Sequence, residues 1–261
     1  MSKFTWSQSA LKDLEKATTC PARWKAQWID KLFKSFTSEA ADYGNYFEYL
    51  CIGGSAHGDA VTDLSRTTTG AKTATQKRIE AQAELFKEMM DRSSEKYLGY
   101  EIQSTQTKLR GYIGNCYVEG VADIITALVG DKSCIVDLKL TEDLDNVRTE
   151  YGWGNATEDI DLLQQVLYQE LYFQMYGVKP PMHLLVFEHG LKQRVKVIKL
   201  NISDKKIQDC FERFEAGSEV VDMYNATKWS KTPSNQECKN CILECDKRFK
   251  IQQIIYEEIN Y

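Results

Sequence analysis

A chain of 261 residues, 43% of them hydrophobic, can build a real core, and its length fits one domain with insertions. The net charge of −5 excludes a generally basic nucleic-acid coat protein while leaving room for a local basic groove. No apolar run approaches the roughly 18–20 residues of a membrane span, and the opening MSKFTWSQSA lacks the apolar core of a signal peptide, so a cytoplasmic location without membrane partners is expected.

In chain order, Ser7 to Ala17 starts with a capping serine and continues in strong helix formers. A second helix is expected from Pro21, whose fixed φ suits a first helical position, with Cys20 at the junction. Tyr43 to Cys51 (YGNYFEYLC) reads as a helix that sets Glu48 among aromatic and aliphatic neighbours, where a carboxylate needs a reason. The Gly-, Ser- and Thr-rich stretch after it, which includes His57, reads as a loop, and Lys72 to Asp91 as a long amphipathic helix. Residues 21–95 therefore read as a mainly helical insertion, and 97–200 as the core that follows it.

The character changes to strands from Tyr97. In Glu119 to Thr141, two β-branched segments, around Val118–Val129 and Cys134–Leu140, flank the turn formers Gly130 and Asp131, which predicts a β-hairpin. Its charges are out of place. Asp123 interrupts the first segment, and Asp137 and Lys139, two apart in the second, point to the same side of a pleated strand. Charges within apolar strands are costly unless paired or bound to a cation. Two carboxylates brought together by a hairpin, with a lysine beside them, suit a divalent-cation site that cleaves phosphodiesters. The same charges also fit solvated gatekeepers on an edge hairpin.

Residues 142–158 read as polar and irregular, and Asp159 to Tyr176 as a helix ended by Gly177. On that helix Gln164 and Tyr168 are i and i+4, hence on one face, able to bond a phosphate or to hold the lysine. HLLVFEHG and QRVKVIKLNI read as a second strand pair, Ser203 to Tyr224 as a helix, and KTPSNQECKNCILEC as a turn-rich tail.

Taken as an ordered set, Gly44 to Glu48 (G-x-x-x-E), Gly120 to Asp123 (G-x-x-D), Asp137 to Lys139 (D-x-K) and Gln164 to Tyr168 (Q-x-x-x-Y) resemble the RecB-like branch of the PD-(D/E)XK nuclease superfamily. W-S-x-S-x-L from Trp6, followed nine residues later by Cys20-Pro21, is similar to that family's N-terminal signature. The resemblance runs from Trp6 to Cys245. It implies a mixed sheet flanked by helices in an α/β core, forming a single nuclease domain over residues 1–261. It also implies that Glu48, Asp123 and Asp137 hold Mg²⁺ or Mn²⁺, that Lys139 serves the attacking water, and that Gln164 and Tyr168 position the strand. Gly53 to His57 also fits the first motif, so His57 rivals Glu48 as a ligand.

Cys238, Cys241 and Cys245 form C-x2-C-x3-C near the end of the chain, a spacing that can wrap one metal centre. With Cys20 they resemble the iron–sulfur branch of the family, which includes the AddB nuclease domain and CRISPR-associated RecB-like exonucleases and takes one N-terminal and three C-terminal cysteines. The resemblance implies a 4Fe–4S cluster that staples the two ends together. Structural Zn²⁺ is the alternative occupant. Cys51, Cys116, Cys134 and Cys210 lie in apolar surroundings and read as buried small hydrophobes. The implied activity is DNA cleavage at single strands or duplex ends, with proteins of recombination, repair or CRISPR adaptation as partners and a phage or mobile-element origin. A non-cutting DNA-binding subunit and a zinc-stapled endonuclease are the rival readings.

Overall fold

The computed structural model describes residues 4–16, 20–32, 38–54, 61, 64, 67, 70–128, 132–147, 152–154 and 160–229. The elements follow in the order α1 (Gln8–Leu14), α2 (Pro21–Trp28), α3 (Glu39–Ile52), α4 (Ala74–Met90), β1 (Tyr100–Ile113), β2 (Cys116–Leu128), β3 (Lys132–Thr141), α5 (Leu163–Tyr176), β4 (Met182–Glu188), β5 (Val195–Leu200) and α6 (Asp204–Ala226). The strands form one sheet in the order β1-β2-β3-β4-β5. It is mixed: β3 runs parallel to β4, while β2–β3 and β4–β5 are antiparallel. A parallel pair needs a crossover, and residues 142–181, which carry α5, supply it. Among the described residues no helix is long and apolar enough to cross a membrane.

Helix starts follow local chemistry. Ser7, Ser38 and Thr73 each accept a hydrogen bond from the backbone N–H three residues on, capping α1, α3 and α4. The helix containing Glu48 thus begins at Glu39, four residues before the Tyr43 start that the aromatic run suggested. In contrast α5 begins at Leu163 rather than Asp159. Asp161 takes the Leu163 N–H at 3.1 Å and so holds the turn before the helix. Gly53 and Gly177, with φ of 75° and 76°, end α3 and α5 in the left-handed conformation that glycine adopts freely.

The contacts divide the chain into two compact units. The larger comprises residues 37–112 and 119–210. On one face of its sheet, Ile124, Val136, Leu138, Leu185 and Phe187 pack against Tyr46 and Phe47 of α3 and Ile79, Ala83 and Phe86 of α4. Phe187 is its hub, 4.9 Å from the Phe47 ring and 6.2 Å from that of Phe86. Truncating Phe187 to alanine would cost about 3–5 kcal/mol. Period-2 alternation then sends Asp137 and Lys139 to the opposite face, toward α5.

The smaller unit contains α1, α2, residues 113–118 and residues 211–229. Trp6, Leu11, Trp24 and Phe214 are buried in it, and the Trp24 indole donates to the Ala10 carbonyl at 2.9 Å. Trp6 forms a parallel bridge with Val118, and Trp24 stacks on Trp229 with centroids 5.9 Å apart. Cys20 is buried at the N-cap of α2 and makes no side-chain capping bond there. Cys238, Cys241, Cys245 and His57 lie outside the described residues. Cys116, Cys134 and Cys210 are buried thiols and Cys51 is a partly buried one; burial pushes the Cys134 thiol up to about 12.

Candidate active site

The site lies where two strands part. The β2–β3 register runs from Leu128↔Lys132 to Ile124↔Val136, whereas β3 stays paired with β4 as far as Thr141↔Glu188. Asp123 and Asp137 are the next residues after the last β2–β3 pair. There the Asp123 carboxylate accepts the Leu138 backbone N–H at 2.8 Å, a side chain capping the end of the ladder. The D-x-K stretch is thereby held from the β4 side, while its other side opens as β2 diverges.

Asp137 is fully buried. Its Oδ2 receives Lys139 Nζ at 2.6 Å and the Gln165 amide at 3.0 Å, while its Oδ1 is buried without a hydrogen-bond partner. Lys139 Nζ also donates to Gln164 Oε1 at 3.1 Å, and the Gln164 amide donates to the Tyr168 hydroxyl at 2.8 Å. One turn of α5 thus supplies Gln164 and Gln165 to the lysine and its aspartate, and Tyr168 braces the first of them. The Tyr168 ring lies so close to β2 that a Cβ at Gly120 would meet its Cε1 at 2.6 Å. Glycine at 120 is therefore the space that the tyrosine occupies. No such reason exists at Gly44, where a Cβ would meet nothing within 4 Å.

Glu48 reaches the site from α3 and accepts a hydrogen bond from the Gln106 amide of β1. Three carboxylates, Asp137, Asp123 and Glu48, thus act on the single Lys139 ammonium. Burial first, then the Asp137 charge, push the Asp123 carboxyl well above its ordinary range against the opposing pull of Lys139. Burial disfavours charge on Lys139, but Asp137 and Asp123 outweigh it and raise its pKa, so it stays an ammonium. Burial and the same two aspartates also raise the Tyr168 phenol, which remains neutral.

A divalent cation fits this donor set. The carboxylates exceed the cations by two, and the partnerless Asp137 Oδ1 is a hard oxygen donor of the kind that Mg²⁺ or Mn²⁺ takes. Among the described residues no three His, Cys, Asp or Glu side chains are grouped so as to hold a metal ion, so a cation would have to draw Glu48 and the two aspartates together.

The structure brings Asp123, Asp137, Lys139, Gln164 and Tyr168 together and sets Glu48 in electrostatic reach of Asp123 and Lys139. Two contributors escaped the sequence reading. Gln165 was signalled only as the second glutamine of a pair whose first member fits the motif. Gln106 lies in a polar run, QSTQTK, that carries no signal.

A mixed sheet that opens beside a buried Asp-x-Lys, with a second aspartate on the neighbouring strand and a Gln and a Tyr from a covering helix, defines the PD-(D/E)XK class of fold. The chain belongs to the PDDEXK-like domain family of unknown function DUF3799, whose profile matches residues 7–244. Its fold is similar to a crystal structure from Eubacterium rectale described as a "Putative exonuclease", at 17% identity and a TM-score of 0.62, covering 93% of this chain and 90% of that one. The crystal structure of SSO0001 is more distant, at 12% identity and a TM-score of 0.39, covering 94% of this chain and 85% of that one. No curated protein matches the chain.

Proposed function

We propose that the chain is a Mg²⁺- or Mn²⁺-dependent deoxyribonuclease that hydrolyses phosphodiesters, acting as an exonuclease on single-stranded DNA or duplex ends. The observation that carries this reading is the partnerless, buried Asp137 Oδ1 set beside a charged Lys139. A wholly structural ion pair would satisfy both carboxylate oxygens. The description of the Eubacterium rectale chain agrees with exonuclease action, and the expected setting is cytoplasmic recombination, repair or CRISPR-adaptation-like processing.

Glu48, Asp123 and Asp137 would hold the cation, which supplies Lewis-acid polarisation of the phosphate and offsets the charge of the three carboxylates. The chain's own contribution centres on Lys139. Its ammonium, aimed by Asp137 Oδ2 and Gln164 Oε1, donates hydrogen bonds to the attacking water and to the charge that grows on the phosphate oxygens. Gln164 and Tyr168 keep that ammonium in place and give the strand a polar ledge. The energy of the step comes from positioning and charge rather than from a protein nucleophile.

The test is cleavage of end-labelled single- and double-stranded DNA with Mn²⁺ or Mg²⁺. Wild-type protein is expected to cut only with the cation, and Lys139→Ala to fold and not to cut. Cation-independent binding of DNA without turnover would instead identify a non-cutting subunit. Cys20, with Cys238, Cys241 and Cys245, is proposed to hold a 4Fe–4S cluster. Brown protein that contains iron and loses it on Cys20→Ser is expected, whereas colourless protein with stoichiometric zinc would assign structural Zn²⁺.

A further inference from the structure

Five non-glycine residues among those described have positive φ: Lys31, Gln106, Gln193, Lys228 and Trp229. Lys31 follows α2, Gln193 lies between β4 and β5, and Lys228 and Trp229 follow α6, all outside the helices and strands. Gln106 alone lies within a strand, in β1, at φ 51°. A side chain with a Cβ pays for the left-handed region there, and such outliers persist where surrounding contacts enforce them.

The contacts at Gln106 converge on one group. Its amide donates to Glu48 Oε1. Its methylenes lie against Gly54, just past the end of α3, where an added Cβ would meet Gln106 Cγ at 3.2 Å. Across the distortion the Ser104 and Thr107 hydroxyls bond at 2.7 Å. The reversed φ breaks the strand's alternation and re-aims one side chain, as a bulge does. An amide is also the donor that suits a cation ligand. It fixes the carboxylate without neutralising it, where a lysine would cancel the charge that the cation needs.

We infer that Gln106 is a positioning residue for Glu48, its strained strand backbone turning the amide onto the carboxylate so that Glu48 is held ready for the divalent cation. The inference rests on the reading of Glu48 as a cation ligand. Metal-free full-length protein titrated calorimetrically with Mn²⁺ tests it, using wild type, Gln106→Gly and Glu48→Gln, with melting temperature read alongside.

Glycine relieves the strain while deleting the donor. Gln106→Gly is therefore expected to melt at or above the wild-type temperature yet bind Mn²⁺ about tenfold more weakly. Gln106→Asn tolerates the same φ and keeps an amide one methylene short of Glu48, and it is expected to show the same loss. Cleavage by both variants is expected to return to the wild-type maximum at saturating Mn²⁺. Unchanged Mn²⁺ affinity in Gln106→Gly, with Glu48→Gln weakened, overturns the inference and leaves Glu48 as a ligand. A melting temperature well below wild type in both Gln106 variants overturns it in favour of a structural role. Wild-type affinity in Glu48→Gln overturns the reading of Glu48 and the inference together.

Discussion

Two ionic clusters flank the same pair of strands and have opposite characters. At the end of β4, Glu188 accepts Arg194 Nε at 2.9 Å and the Arg194 N–H at 3.2 Å on one oxygen, and the Leu144 N–H at 3.2 Å on the other. Arg194 also makes two bonds to Asp145, which Lys192 joins at 2.6 Å. Arg194 thereby pulls Glu188 down to about 2, and Arg194 with Lys192 pulls Asp145 down to about 2. At the β2–β3 divergence the pairing is poorer: three carboxylates face the single Lys139 ammonium, Asp123 is pushed up, and one Asp137 oxygen has no partner. Complete pairing marks a cluster that serves the fold. Incomplete pairing at the second supports the proposed cation site, and its cost is borne by the packing around it.

The sharpest way to break this contrast is to remove one central charged side chain from each cluster and ask what is lost. Lys139→Ala is expected to lower the rate of Mn²⁺-dependent DNA cleavage by about 10³-fold, measured by release of end label. A fall of less than about tenfold would mean that the lysine is a structural partner like Arg194. Glu188→Ala is expected to do the reverse. It strands the Leu144 and Arg194 N–H groups and costs about 2–3 kcal/mol in urea denaturation, with cleavage at saturating Mn²⁺ unchanged.

Smaller in size but opposite in sign is Asp123→Asn. The amide oxygen keeps the Leu138 bond and the negative charge is gone, so the metal-free protein is expected to gain about 1–2 kcal/mol. Mn²⁺ would then no longer raise its melting temperature. The pH dependence separates the clusters again. A carboxyl whose folded pKa is raised destabilises at neutral pH, and that cost fades as pH falls through the folded value toward the ordinary one. The advantage of Asp123→Asn is therefore expected to be largest near pH 7–8 and gone by about pH 4. The Glu188 pKa is lowered, so its contribution is present above the ordinary glutamate value and lost as pH falls from about 4.5 toward 2. Melting curves from pH 3 to 8 with the same slope for both variants would dissolve the distinction. The smallest effect is expected for Tyr168→Phe, which loses the Gln164 bond and about 1 kcal/mol, with a few-fold fall in cleavage.

Sequence and structure meet most closely where periodicity and capping act locally. The hairpin, the D-x-K side of its second strand and the Gln164/Tyr168 face follow from two- and 3.6-residue repeats, and the structure has antiparallel β2–β3 with those residues adjoining. The turn at Gly130 and Asp131 lies outside the described residues. What the chain did not disclose was geometry set between distant segments. Nothing in QSTQTK marks Gln106 as left-handed, and its contacts with Glu48 and Gly54 come from a segment distant in the chain. Gln165 was obscured by Gln164, since identical residues on adjoining positions of a helix face different partners. The parallel β3–β4 pairing was likewise not disclosed, as strand patterns do not specify direction and the family resemblance implied only a mixed sheet.

Gly120 and Tyr168 carry a consequence for how this family can vary. A side chain at 120 would occupy the space of the Tyr168 ring, and a smaller residue at 168 would leave a hole over β2. A ring at 168 and the absence of a side chain at 120 therefore go together. G-x-x-D and Q-x-x-x-Y, which read along the chain as separate signatures, are the two halves of one interlocking contact. Any homologue that drops the aromatic while keeping the aspartate is expected to carry a bulkier residue where this chain has Gly120, a correlation that an alignment of the family can refute directly.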